Sequence, residues 1–185
     1  MAGLNRFYYP TKYHSRSQVI ALGVKCVFIS YQKEDKENAI KIADYLMSIN
    51  IDVYIDRYDA ELRIHHQNNN PKAVTDAICK GINNSSHMIT IISPNTLYST
   101  WVPFEIGYGY DKTELSVLCL KGIPKGKLPE YIRTAKIIRD IYDLNILIRS
   151  FTGQNRDILE KANAVNFSAS NSLSSLMDSI ISDTY

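Results

Sequence analysis

Short apolar runs alternate with longer amphipathic stretches between Lys25 and Ile148. The short runs are rich in β-branched residues, which is typical of buried strands, and they predict strands at Lys25–Ser30, Ile51–Ile55, Met88–Ser93, Leu115–Leu120 and, more briefly, Lys136–Arg139. Between them, apolar residues recur at helical spacing with charged residues on the other face. This pattern predicts helices at Glu34–Ile49, Lys72–Asn83 and Thr96–Asp111, and a last helix that continues through Ile148.

Regular alternation of strand and helix indicates βαβ units and therefore a parallel sheet covered by helices on both faces. We expect an α/β fold of the flavodoxin-like type, a three-layer sandwich with a central parallel sheet of about five strands. Ligands of such sheets bind beyond the carboxyl ends of the strands. The residues to inspect are therefore Ser30, Tyr31, Asp56, Arg57 and the segment that begins at Ser93.

The two ends of the chain differ in composition from this central region, residues 24–150. Residues 1–23 are basic and aromatic, and the first acidic residue of the chain is Glu34. They could form an arm that contacts a partner or nucleic acid, but an extension lying on the domain surface is favoured because termini are often loosely held. Residues 151–185 are rich in Ser and Asn, and we expect them to form a C-terminal extension with a short helix at Leu173–Ile181, packed on the domain.

Composition excludes several classes of protein. Of the 185 residues, 45% are hydrophobic and 22% charged, as in ordinary globular domains. The formal net charge of +2 argues against a dedicated nucleic-acid binder. No apolar run is long enough for a membrane span and no secretory signal is present, so we expect a cytoplasmic protein without membrane attachment. Cys26, Cys79 and Cys119 are too few for a disulfide framework, and buried reduced thiols are expected.

Common nucleotide and metal motifs are missing from the sequence. Gly107 and Gly109 begin a dinucleotide fingerprint, but Lys112 occupies the third glycine position and no strand precedes the segment. Gly122–Leu128 is one residue too short for a phosphate loop. The adjacent pair His65 and His66 would point in different directions on any regular element. We therefore expect no metal site.

One pair of residues could carry chemistry at the carboxyl edge of the sheet. Trp101 and Glu105 are four residues apart, which places both on one face of a helix. Together they could hold a flat ring and a developing positive charge. The alternative is a core tryptophan and a surface acid, and the spacing alone favours this alternative because such pairs are common. Pro103 between them indicates that the first helical turn is close by.

Three segments, in this order and spacing, resemble motifs of the TIR domain family. VFISYQKEDKENA resembles the first strand and its loop, VYIDRYD the second strand entering the BB loop, and ITIISPNTLYSTWVPFEIG the third strand and following helix. The last segment contains the W-x-x-x-E signature of catalytic TIR domains. The resemblance covers residues 25–150, and the long Asn-rich region between Asp56 and Pro71 departs from the common pattern.

The resemblance implies one of two functions. Catalytic TIR domains cleave NAD+ between nicotinamide and ribose, whereas adaptor TIR domains act only by assembly. Glu105 stands where the catalytic subclass has its glutamate, so the resemblance favours an NAD+ glycohydrolase or ADP-ribosyl cyclase over a scaffold. It implies that Glu105 is catalytic and that five residues contact substrate or border its site: Ser30, Tyr31, Asp56, Arg57 and Trp101. No cofactor is implied, since NAD+ is the substrate.

The same resemblance bears on partners and product. Stand-alone bacterial TIR enzymes are similar to the signal-producing component of Thoeris antiphage systems. A chain without a fused sensor or effector domain would pass its product to a separate effector protein, and we expect TIR–TIR self-association on activation.

Water as the nucleophile would give ADP-ribose, an internal hydroxyl or adenine nitrogen would give a cyclic form, and an amine would give a conjugate. The sequence leaves these three outcomes open.

Overall fold

The computed structural model describes residues 2–9, 17, 21, 25–55, 70–120, 123, 128–138 and 141–152. Within these ranges the strands are β1 (Cys26–Ser30), β2 (Asp52–Tyr54), β3 (His87–Ile92), β4 (Glu114–Cys119) and β5 (Lys136–Ile138). The α-helices are α1 (Lys36–Ser48), α2 (Pro71–Asn83), α3 (Trp101–Gly109) and α4 (Ile141–Thr152). The strands form one all-parallel sheet in the order β2-β1-β3-β4-β5, which confirms the predicted α/β class and sheet.

The sheet separates two apolar clusters, one on each face. Alternate strand residues point to opposite sides, so Val27 and Ile29 pack with α1 and α4, whereas Phe28 packs with α2 and α3. In β3, Ile89 and Ile91 join the first cluster, and the flanking apolar residues join the second. The strands are therefore apolar on both faces, which is why they appear in the sequence as continuous runs rather than as an alternation.

The predicted helix over Thr96–Asp111 is wrong at its beginning. Thr96–Tyr98 form a short 3-10 turn, and α3 starts only at Trp101. Ser99 separates the two with an extended backbone (φ −74°, ψ 140°). Backbone hydrogen bonds from the Tyr98 amide to the Asn95 carbonyl and from the Ser99 amide to the Thr96 carbonyl hold this turn, and the side chains of Ser93 and Thr96 reinforce it, as described below. The position of Pro103 in the first turn of α3 agrees with the sequence prediction.

Cys26, Cys79 and Cys119 are free thiols that differ in burial. Cys26 and Cys119 lie in the core, as predicted, whereas Cys79 on α2 is half-buried. Burial raises the pKa of the Cys26 thiol to about 12, so it carries no thiolate near neutral pH. None of the helices that the structure describes is both long and apolar enough to span a membrane.

The N-terminal residues pair with the outer edge of β2. Asn5 forms a parallel bridge with Val53, and the side chain of Asn5 continues the pairing with Ile55. Its Nδ2 donates to the Ile55 carbonyl at 2.8 Å, and its Oδ1 accepts from the Ile55 amide at 3.3 Å. Arg6 forms an ion pair of 2.5 Å with Asp52. These contacts cover backbone groups of an edge strand that would otherwise be open to further pairing.

We expect Asn5→Ala to lower the free energy of unfolding by about 1–3 kcal/mol, because it leaves two backbone groups of Ile55 without their partners. The measurement is urea unfolding followed by circular dichroism. Tyr9→Ala is the matched control, since this side chain is 64% exposed on the same segment, and its effect should stay within about 0.5 kcal/mol. Equal unfolding midpoints for Asn5→Ala and the parent would show that the segment does not pair with β2 in solution.

Candidate functional site

The candidate site lies at the carboxyl ends of two neighbouring strands, β1 and β3. Ser30 is the last residue of β1, and its partner in the register with β3 is Thr90. Both side chains point to the face covered by α2 and α3, because they follow Phe28 and Met88 at a spacing of two residues. The chain leaves β3 at Ser93 and returns over this edge as α3.

Glu105 occupies the apolar stripe of α3. The buried residues of this helix are Val102, Glu105, Ile106 and Gly109, which recur at helical spacing and face the sheet. The absence of a side chain at Gly109 allows the close approach, since a Cβ there would lie 2.6 Å from the Met88 sulfur. The carboxyl of Glu105 is consequently held among apolar groups, with its residue only 9% exposed.

A hydrogen bond joins this carboxyl to the sheet. The Ser30 hydroxyl donates to Oε2 of Glu105 in a short, buried contact. Burial raises the pKa of the Glu105 carboxyl to about 7, and the hydrogen bond from Ser30 opposes this rise. The hydroxyl of Thr90 is also buried and has no hydrogen-bond partner among the described residues.

In this environment the carboxyl of Glu105 is suited to stabilising a nearby positive charge. Near neutral pH the group is divided between its acid and carboxylate forms. A carboxylate in apolar surroundings interacts with a neighbouring positive charge much more strongly than one in water, because less solvent screens it. A perturbed carboxyl at the ligand-binding edge of a parallel sheet is a candidate catalytic group.

Trp101 lies one helical turn before Glu105, at the start of α3. It is half-buried, packs against the cluster of α2 and α3, and meets Phe104 edge to face, with ring centroids 6.0 Å apart. Phe104 stacks in turn on Tyr108, whose hydroxyl hydrogen-bonds Asn83 of α2. The indole therefore rests on an aromatic row that is fixed to the core and keeps one part toward solvent.

The other sequence-predicted site residues are placed differently. Tyr31 follows Ser30 but packs against the cluster of α1 and α4, on the opposite side of the sheet from Glu105. Asp56 and Arg57 lie outside the described residues, as does the remainder of the segment 56–69. In the described part of the chain, no group of three or more His, Cys, Asp or Glu side chains is arranged to hold a metal ion.

A second polar cluster at this edge was missed by the sequence analysis. Asp35 is 5% exposed and accepts hydrogen bonds from Ser93 and Asn95, in the loop that leads to α3. Thr96 completes the cluster through bonds to the Ser93 backbone and the Ile91 carbonyl. The segment beginning at Ser93 was expected to lie near a ligand, but no pattern in the sequence linked it to Asp35.

Comparison with known proteins agrees with this geometry. The sequence model of the TIR domain family matches residues 27–144, which include β2 to β5, α1 to α3 and all of β1 except Cys26. A search of curated proteins found no match. The family match spans most of the chain, and the parallel sheet with helices on both faces is the fold that it implies. The chain therefore belongs to the TIR domain family.

Proposed function

We propose that this TIR domain is an NAD+ nucleosidase that cleaves the bond between nicotinamide and ribose. The observation that carries the proposal is Glu105, a carboxyl that burial brings to a pKa of about 7 at the carboxyl edge of the sheet. TIR domains include NAD-cleaving enzymes. By resemblance, Glu105 stands where their W-x-x-x-E signature has its glutamate. Trp101, with part of its indole toward solvent, lies one turn away.

The reaction needs a negative charge more than it needs a proton donor. When the C1′–N1 bond of NAD+ breaks, the bonding electron pair goes to the nicotinamide nitrogen, which becomes neutral and departs without protonation. The ribose is left with oxocarbenium character, and a preorganised carboxylate stabilises that charge. Glu105 supplies the carboxylate, and Ser30 keeps it oriented. A nucleophile then bonds to C1′ and releases its proton to solvent.

Access to Glu105 supports activation by assembly. With the residue only 9% exposed, NAD+ needs a rearrangement at this edge to reach the carboxyl. TIR domains commonly self-associate, and contact with a second copy is a means of fixing an open arrangement. We propose that the resting monomer is nearly inactive and that a neighbouring copy completes the pocket.

The biological setting is proposed from the resemblance to stand-alone bacterial TIR enzymes. In this setting, antiphage defence in the cytoplasm, the enzyme produces an ADP-ribose-derived signal that a separate effector protein senses. Ser30 and Trp101 are proposed to contact the substrate, and Tyr31, Asp56 and Arg57 remain predicted contacts. Mass spectrometry of the products would distinguish ADP-ribose from its cyclic and conjugated forms. The alternative function is a scaffold without catalytic activity, and the Glu105→Gln experiment below distinguishes this scaffold from an NAD+ nucleosidase.

Glu105→Gln should lower the rate of nicotinamide release about 10²–10³-fold, because the amide keeps the shape of the side chain but not its charge. The measurement is chromatographic detection of nicotinamide with purified protein and NAD+. The matched control is Glu114→Gln, which neutralises a carboxylate that is 73% exposed on β4 and should leave the rate unchanged. A folded Glu105→Gln variant as fast as the parent would make the scaffold the better account.

Trp101→Phe should lower kcat/KM about two- to tenfold while the melting temperature stays close to that of the parent. The smaller ring keeps most of the apolar packing but loses area that we propose to contact substrate. Both quantities are measured on one preparation, by nicotinamide release and by thermal unfolding. A lower melting temperature with unchanged kcat/KM would restrict Trp101 to a structural role.

Specific activity should rise with protein concentration, because a second copy is proposed to complete the pocket. The measurement is nicotinamide release over an approximately hundredfold dilution series, with light scattering on the same samples. Crowding agents should raise the activity of dilute protein toward that of concentrated protein. Constant specific activity in samples that remain monomeric would show that one chain holds the complete site.

A further inference from the structure

Asp35 is a buried carboxylate that the proposed reaction does not use. It ends the short 3-10 turn Lys33–Asp35, directly before α1. Its Oδ2 accepts a hydrogen bond from the Ser93 hydroxyl at 2.5 Å, and its Oδ1 accepts one from the side-chain amide of Asn95 at 3.3 Å. Because neither partner is on its own element, this carboxylate links the loop after β1 to the loop after β3.

The position of Asp35, directly before α1, shows that these contacts are not those of an ordinary helix cap. It occupies the N-cap of α1, where an aspartate commonly accepts a hydrogen bond from the first turn. Here the side chain makes no capping bond and turns to Ser93 instead. Stabilisation of α1 by capping therefore does not explain the orientation of this carboxylate.

The loop that receives Asp35 is itself tightly held. The Ser93 hydroxyl accepts from the backbone amides of Asn95 at 3.0 Å and Thr96 at 3.3 Å. In return, the Thr96 hydroxyl accepts from the Ser93 amide at 2.9 Å and contacts the Ile91 carbonyl at 3.3 Å. A hydrogen bond to Ser93 therefore restrains the whole turn that leads to α3.

The two linked loops carry the two partners of the site. Ser30 ends the strand from which the first loop departs, and Glu105 is on the helix to which the second loop leads. The Asp35–Ser93 and Ser30–Glu105 hydrogen bonds therefore join the same two parts of the chain at two points: the end of β1 with its following loop, and the segment from β3 to α3. Opening one bond removes a restraint on the geometry of the other.

We propose that Asp35 is a positioning residue, which through Ser93 holds the exits of β1 and β3 together and so keeps Ser30 at hydrogen-bond distance from Glu105. Its effect on catalysis rests on the function proposed above. Its effect on the geometry of Glu105 does not, and this difference allows the two proposals to be tested separately.

The first experiment compares the rates of Asp35→Ala, Asp35→Asn and Ser93→Ala with that of the parent. Small displacements of a catalytic group are costly, so Asp35→Ala and Ser93→Ala should each lower kcat about 10–100-fold. Asp35→Asn retains an acceptor for Ser93 and should recover part of the loss. Tyr45→Phe is the control, because it removes another buried hydrogen bond, 2.6 Å to Asn145, and should change stability without changing kcat.

The second experiment reads the Ser30–Glu105 bond directly, without reference to activity. Carboxyl-¹³C glutamate NMR gives the titration midpoint of Glu105, assigned by the signal that Glu105→Gln lacks. The hydrogen bond from Ser30 lowers the pKa of Glu105, so its loss raises the midpoint. Ser30→Ala sets the size of this upward shift, and Asp35→Ala and Ser93→Ala should show a shift in the same direction. Tyr45→Phe should show none.

The outcomes separate the proposals. A parent-like midpoint in both Asp35→Ala and Ser93→Ala would overturn the positioning role, whatever their melting temperatures. Raised midpoints in a protein that does not cleave NAD+ would support the positioning role and contradict the proposed function. If Asp35→Ala does not fold, Ser93→Ala decides alone, because it removes the same hydrogen bond: a raised midpoint supports the positioning role and a parent-like midpoint overturns it.

Discussion

A carboxyl group among apolar side chains is costly to ionise, and the position of Glu105 imposes this cost on the carboxyl edge of the sheet. The helix cannot turn Glu105 to solvent without exposing Val102 and Ile106, which share its buried stripe. The group is therefore left with the Ser30 hydroxyl as a donor and a pKa near neutrality. Apolar packing of α3 stabilises the fold and at the same time raises the pKa of the Glu105 carboxyl.

The contact between Ser30 and Glu105 depends on the relative positions of two loops, the loop after β1 and the loop after β3. Parallel pairing brings the ends of β1 and β3 side by side, but it does not determine how the chain leaves them. The polar contacts of Asp35 with Ser93 and Asn95 act at this point, beyond the last sheet hydrogen bonds. At the far edge of the sheet, Asn5 holds Ile55, the last described residue before the segment 56–69. The carboxyl edge is thus restrained by side chains, whereas the core is restrained by apolar packing.

The parts of the structure that depend on local pattern could be predicted from the sequence. Each strand lies within a residue or two of its apolar run, and the two-sided burial explains the lack of alternation. The start of α3 could not be predicted, because hydrogen bonds around Ser93 replace the helix that periodicity indicates. Asp35 carries the local signal of a helix cap, and the positioning role proposed for it rests on its long-range contact with Ser93, which no local pattern indicates. The acid in W-x-x-x-E required a family resemblance, since spacing alone favoured a surface residue.

The pH dependence of NAD+ cleavage tests the central claim most directly, namely that the buried carboxyl of Glu105 acts in its ionised form. Burial raises its pKa, so the carboxylate forms only as the pH passes about 7. The account predicts that kcat/KM for nicotinamide release rises through a midpoint close to pH 7 and levels off above it. A rate that is already maximal at about pH 5.5, as expected of an ordinary exposed glutamate, would contradict the account.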